Sequence, residues 1–185
     1  MRRHLIAVIG SGDLSSDSDE YRSAVIIGRI LIDRGYRLVT GGLGGVMEAA
    51  SMGAHLSERY SDGSVIGILP GYDPSSANQY VDIAIPSGLG IGRNMLVTNA
   101  DAIIAVGGGS GTLSELAFAW QKGKLIIALD FPGWSGRLGG ERVDDRVRHR
   151  DIPDDRIYTA ASAEDAVRQL DEMLPIYIRT SKNGN

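Results

Sequence analysis

Cysteine is absent from the 185 residues, which excludes a disulfide framework, thiolate nucleophiles and cysteine metal ligands. Histidine is almost as scarce. His4, His55 and His149 stand far apart, with none of the spacings of a metal motif, so no metal site is expected. There is no run of about 18 apolar residues that would span a bilayer, and the basic start Met1-Arg2-Arg3-His4 leads only into a short strand-like run. The expectation is a soluble cytoplasmic protein with no membrane partner. Lysine is limited to Lys122, Lys124 and Lys182. A net charge of −4 and a pI of about 5.3 argue against broad electrostatic binding to nucleic acid.

Glycine, by contrast, is abundant, with 25 residues, and it is concentrated where apolar runs end. The runs LIAVI (5–9), RLVT (37–40), SVIGIL (64–69), VDIAI (81–85), DAIIAV (101–106) and KLIIAL (124–129) read as strands. Segments of helical length separate them, at 19–34, 45–59, 92–100, 111–121 and 162–173. Strands this uniformly apolar must be covered on both faces. The pattern therefore predicts an α/β, Rossmann-like, doubly wound parallel sheet of about six or seven strands with helices on both faces. One domain over 1–179 and a frayed tail at 180–185 are expected. The 130–155 stretch breaks the alternation. A connection of that length is usually functional or disordered, and Val143 and Val147, four apart among charges, suggest a short helix within it.

In a right-handed βαβ unit every strand's carboxyl end and the next helix's amino end share one edge of the sheet. That geometry gathers Gly10-Ser11-Gly12, the 41–45 loop GGLGG, Pro70-Gly71 and the 107–112 turn GGGSGT into one crevice, with Arg93 and Asn94 beside them. Backbone N–H groups at a helix start and glycines that permit close approach make such an edge a phosphate cradle. The residues expected to bind a phosphorylated small molecule are Gly10, Ser11, Gly41, Gly42, Gly44, Gly45, Arg93, Asn94, Gly108, Gly109, Ser110, Gly111 and Thr112. GSGDLSS lacks the third glycine of a dinucleotide fingerprint, so NAD is not inferred.

Each feature also has a purely structural reading. The 107–111 glycines serve a tight turn, and GGLGG lets a helix pack closely on its sheet. Thr112-Leu113-Ser114-Glu115 matches the T-x-x-E capping box, which would make Glu115 a cap rather than a ligand-facing carboxylate. Arg93 either neutralises an anion or is solvated. Phe131 and Trp134 either stack on a planar base or pack their loop down.

The segments GRNMLVTNADAIIAVGGGSGTLSE and VTGGLGGVMEAASMGA resemble the Lonely Guy (LOG) superfamily, long labelled lysine decarboxylases, over roughly residues 5 to 130. The resemblance implies a Rossmann-like fold and a homodimer or higher homo-oligomer. Hydrolytic members release a base from nucleoside 5′-monophosphates. Their PGGxGTxxE motif falls on residues 107–115, with Gly108, Gly109, Gly111, Thr112 and Glu115 matching, and their arginine falls on Arg93. In that reading Arg93 and Glu115 are catalytic and no cofactor is required. Decarboxylation would need a Schiff-base lysine, and neither Lys122 nor Lys124 lies on the ligand edge. Gly107 stands where the motif has proline, and Arg93 stands in GRN. Both features are closer to the branch of molybdenum cofactor carrier proteins, which bind a phosphorylated pterin without known turnover. The ligand implied is therefore a nucleoside monophosphate or the molybdenum cofactor.

Overall fold

The structure, a computed structural model, describes residues 2–183. Seven parallel strands form one sheet in the order β4-β3-β2-β1-β5-β6-β7. They are β1 (Leu5–Gly10), β2 (Arg37–Thr40), β3 (Val65–Leu69), β4 (Ile83–Pro86), β5 (Ala102–Val106), β6 (Leu125–Leu129) and β7 (Tyr158–Ala160). The six runs read from the sequence are all present, and the seventh strand is the short β7. Six helices cover the sheet: α1 (Asp19–Asp33), α2 (Val46–His55), α3 (Asn94–Val97), α4 (Ser110–Gln121), α5 (Trp134–Leu138) and α6 (Ala163–Asn183). The α/β, Rossmann-like architecture with helices on both faces is thus the observed one.

Alternation along each strand divides the core. Ile6, Val8, Leu38, Ile104 and Ile127 point to the face covered by α1, α2 and α6, while Ala7, Ile9, Val39, Ile103 and Ile126 meet Leu116, Ala119 and Trp120 of α4. The small-residue helix α2 packs within the fold against α1. A Cβ on Gly53 would overlap the Val25 carbonyl, so only glycine permits that approach. Ser18 caps α1, its hydroxyl accepting from the Tyr21 N–H at 3.2 Å.

Three boundaries differ from expectation, the first being the helix expected over 45–59, which stops at His55. The expected 92–100 helix is a 3-10 turn over Gly90–Arg93 followed by the single turn of α3. The last helix runs well past 173, because Leu170, Leu174 and Tyr177 keep an apolar stripe buried against the sheet. Of the tail expected at 180–185, residues 184 and 185 lie outside the described residues, and α6 extends to Asn183.

The 130–155 stretch is neither a loose loop nor helical at 143–147. Its helix is α5, at the start of the stretch. Its second half is bolted to the body by Arg148, whose side chain is 2% exposed and pairs with Asp155, 3% exposed. The guanidinium also donates to the carbonyls of Trp120 (3.1 Å) and Lys124 (3.2 Å) and lies 3.6 Å from the Trp120 ring centroid. It thereby adds a second donor to the Trp120 carbonyl, which already accepts from the Gly123 N–H at 3.1 Å. The Tyr177 hydroxyl donates to Asp155, and burial pushes its phenol above the usual range.

Removing one partner of this buried pair strands the other. Arg148→Ala is expected to lower the unfolding free energy by about 3–5 kcal/mol, read as a lower urea midpoint. The neighbouring Val147→Ala, at a side chain 71% exposed, should stay within about 0.5 kcal/mol of the wild type.

Candidate functional site

The strand order reverses at β1, which has β2 on one side and β5 on the other. The loops leaving β1 and β5 therefore diverge, and a crevice opens between them at the carboxyl edge. A cavity of about 460 Å³ occupies it, within the range of small-molecule sites.

Three glycine loops, together with Arg93 and Asn94, meet there. Gly10, Ser11, Gly41, Arg93, Asn94, Gly109, Ser110, Gly111, Thr112 and Glu115 all line the cavity, as does Pro70. Gly42, Gly44, Gly45 and Gly108, expected among the ligand contacts, do not. They support loops instead. Gly42, Gly45 and Gly108 have positive φ, and added Cβ atoms would meet Leu69 and Gly67 at Gly42, Ser11 and Gly12 at Gly45, and Thr112 at Gly108. Gly44 packs on the Gly12 carbonyl. Ser11 ties the two largest loops together, since its hydroxyl accepts from the Gly108 N–H at 3.1 Å and its carbonyl accepts from the Val46 N–H at 2.9 Å.

Helix α4 starts at Ser110, with Gly109 as the preceding cap residue and no side-chain cap. This overturns the capping-box reading. Thr112 lies inside the first turn and Glu115 a full turn beyond the box, facing the cavity with a side chain 8% exposed. None of the N–H groups of Gly109, Ser110, Gly111 and Thr112 has an acceptor among the described residues. A Cβ on Gly109 would meet nothing within 4 Å. The fold itself therefore does not demand glycine at 109.

Arg93 is not solvated. Its side chain is 11% exposed, and the guanidinium lies so close over Gly41 that any Cβ there would overlap it. Nη1 is 3.7 Å from a Glu115 oxygen, too far for a hydrogen bond, and has no hydrogen-bond partner among the described residues. Nη2 reaches only the Met47 sulfur at 3.9 Å. An unmade hydrogen bond on a buried donor costs about 1–3 kcal/mol. Burial pushes the Glu115 carboxyl up to about 7, with Arg93 pulling the other way. The same burial draws the Arg93 guanidinium below its ordinary value. Asn94 lines the cavity but spends its amide on α4, donating to Ser114 Oγ at 2.9 Å.

Leu43, Met47, Gly90 and Ile91 also line the cavity and were not among the expected contacts. Met47 follows from the logic applied to α4, since it sits in the first turn of the helix after GGLGG. Ile91 carries no sequence signal beyond its place in the turn before Arg93. Phe131 and Trp134 do not line the cavity and pack against the two core clusters. Lys122 is engaged away from the site, donating to Asn99 Oδ1 at 2.7 Å. No group of three or more His, Asp or Glu side chains able to hold a metal occurs among the described residues, nor does any helix long and apolar enough to cross a membrane.

Because folding raises the Glu115 pKa from an ordinary 4.5 to about 7, its stabilising effect is full below pH 4.5 and is lost as the pH climbs through 7. Stability of the wild type should fall by up to roughly 3 kcal/mol between pH 5 and 8 on this account. Glu115→Gln should flatten that window, as compared by urea midpoints at both pH values.

A family model described as the SLOG cluster4 family matches residues 3–167. A protein of Archaeoglobus fulgidus described as uncharacterized is 40% identical over 133 residues, covering 71% of this chain and 83% of that one. Among solved structures, the molybdenum cofactor binding protein from the phototrophic bacterium Rippkaea orientalis is similar at 32% identity and a TM-score of 0.76, covering 94% of this chain and 99% of that one. The molybdenum cofactor carrier protein from Chlamydomonas reinhardtii is similar at 26% identity and a TM-score of 0.75, again over 94% and 99%. These matches agree with the LOG resemblance and with its carrier-like branch, and with a match over most of its length the chain belongs to the SLOG cluster4 family.

Proposed function

We propose that the crevice binds a phosphorylated nucleotide-like ligand or cofactor and that the protein acts as its carrier or sensor. The observation that carries this reading is the pairing of four acceptor-free N–H groups at residues 109–112 with the buried, unpartnered Nη1 of Arg93. The amino end of a 12-residue helix holds the phosphate, and the guanidinium supplies a positive charge. Leu43, Met47 and Ile91 offer an apolar wall to a flat ring. The molybdenum cofactor, a phosphorylated pterin, fits such a site as cargo, in keeping with what the Rippkaea and Chlamydomonas proteins are described as binding. A nucleoside 5′-monophosphate presents the same phosphate and a similar ring.

A second reading is favoured by the place of Glu115, a buried carboxyl that lines the cavity 3.7 Å from Arg93 and that burial pushes up to about 7. A group titrating there accepts a proton from water and returns it at neutral pH. In hydrolysis of a nucleoside 5′-monophosphate, the Glu115 carboxylate would stabilise the oxocarbenium-like sugar as the C–N bond breaks with its electrons leaving on the base, and would then take a proton from the water that attacks the anomeric carbon, the departing base taking up its proton from solvent. Arg93, which does not give up a proton readily, would orient the substrate.

The assembly follows from the same face of the molecule. Ile83 and Ile85 of β4 stand in register with Ile66 and Ile68 of β3, on the α4 side of the sheet, and remain 45% and 44% exposed. Leu89 and Met95 are exposed too, and so is Ile91, which lines the cavity. Parallel sheets are ordinarily covered on both faces, and a second copy of the chain, docking the same face, covers this one as a homodimer.

Three outcomes test these statements. AMP at a hundred times its dissociation constant adds about 2.7 kcal/mol and should raise the melting temperature by roughly 5 °C or more. Gly109→Ala and Arg93→Ala should abolish that rise, and Gly109→Ala should leave the ligand-free melting temperature unchanged; a rise that survives both variants places the ligand elsewhere. Incubation with AMP separates carrier from hydrolase: free adenine and ribose 5-phosphate, lost in Glu115→Ala, mark the hydrolase. In light scattering after gel filtration, the wild type should run as a dimer or larger and Ile85→Glu as a monomer.

A further inference from the structure

The FPGWSG segment, which runs into the first turn of α5, has no part in the cavity, yet it is fastened to the glycine turn by three hydrogen bonds. The Gly107 N–H donates to Ser135 Oγ at 2.7 Å, the Ser135 N–H donates to the Gly107 carbonyl at 3.0 Å, and the Trp134 N–H donates to the Gly108 carbonyl at 2.9 Å. With the Gly108 N–H taken by Ser11 Oγ, every backbone polar group of Gly107 and Gly108 has a partner. Ser135 is fully buried. Gly133 presses on Gly108 so closely that a Cβ would come within 2.6 Å of its carbonyl oxygen.

Gly107 and Gly108 both have positive φ, at 61° and 98°, and without fixed partners glycine backbone explores several such states at little cost. The electrostatic sense of the cradle depends on which state is held. Carbonyl oxygens turned toward the crevice would repel an anion; turned toward α5, they leave only the N–H groups of 109–112 on the ligand side.

We propose that Ser135 is a positioning residue for the cradle: its Oγ, by accepting from the Gly107 N–H, fixes the peptide on which the turn pivots, while the Ser135 and Trp134 N–H groups hold the Gly107 and Gly108 carbonyls away from an anion. The role rests on the phosphate-binding reading of the crevice. It assigns the first part of the 130–155 stretch to ligand affinity, apart from the Arg148 bolt in its second part.

Calorimetric titration of the full chain with AMP and with adenosine tests the assignment, because a role in general stability would not alter the preference between two ligands that differ only in the phosphate. The wild type should prefer AMP, and Gly109→Ala should lose that preference. Ser135→Ala should lose at least ten-fold in AMP affinity with adenosine affinity unchanged, and Ser135→Thr, which restores a hydroxyl, should recover most of it. Should Ser135→Ala fail to fold, the near-isosteric Ser135→Cys, a weaker acceptor, should show the same selective loss. A Ser135 variant that keeps the wild-type preference overturns the positioning role while leaving the phosphate site standing. A wild type that does not distinguish AMP from adenosine overturns both.

Discussion

Everything at the functional edge depends on the reversal of strand order at β1. A parallel sheet wound in one direction only would send each loop over its neighbour and close the edge. Here β1 lies between β2 and β5, so the chain leaves on one side and returns on the other. The gap between the departing loops is a consequence of topology, and helix amino termini necessarily surround it. The glycines are then needed because three chain segments must converge where side chains would collide. Gly10, where a Cβ would overlap the Val106 carbonyl oxygen, is the clearest instance.

Within that gap the chain buries a carboxyl and a guanidinium without joining them by a hydrogen bond. The cost of burial exceeds the attraction at 3.7 Å, so both groups are drawn toward neutrality. Such a pair is poised rather than locked. An arriving phosphate would strengthen the charge on Arg93, relax its hold on Glu115 and, as a like charge beside the carboxyl, favour the protonated acid. The carrier and hydrolase readings thus share one electrostatic device and differ in whether water is admitted beside Glu115.

Most of the fold was legible because apolar periodicity and β-branched runs report strands directly, and the crevice was legible because right-handed crossovers fix which loops meet. What was missed followed from physics that local sequence does not carry. The T-x-x-E pattern at Thr112 suggested a cap, but the helix begins two residues earlier, since the glycine turn feeds Ser110 directly into helical geometry. Gly42, Gly44, Gly45 and Gly108 were indistinguishable in sequence from the glycines that line the cavity, and only close packing separates the two sets. The charged stretch after Gly140 looked loose because Arg148 and Asp155 read as surface residues, and their burial depends on Trp120 and Tyr177 from distant helices.

The double attachment at Ser11 has an evolutionary consequence. One residue anchors both the turn after β5 and the start of α2, so neither loop is free to drift alone. A change that improved one would loosen the other. On the apolar rim Met47 is likewise engaged, buried with its sulfur against Arg93 Nη2, whereas Ile91 is 91% exposed. The least constrained position on the cavity wall is therefore Ile91, where a different side chain would reshape the rim and leave both loops in place.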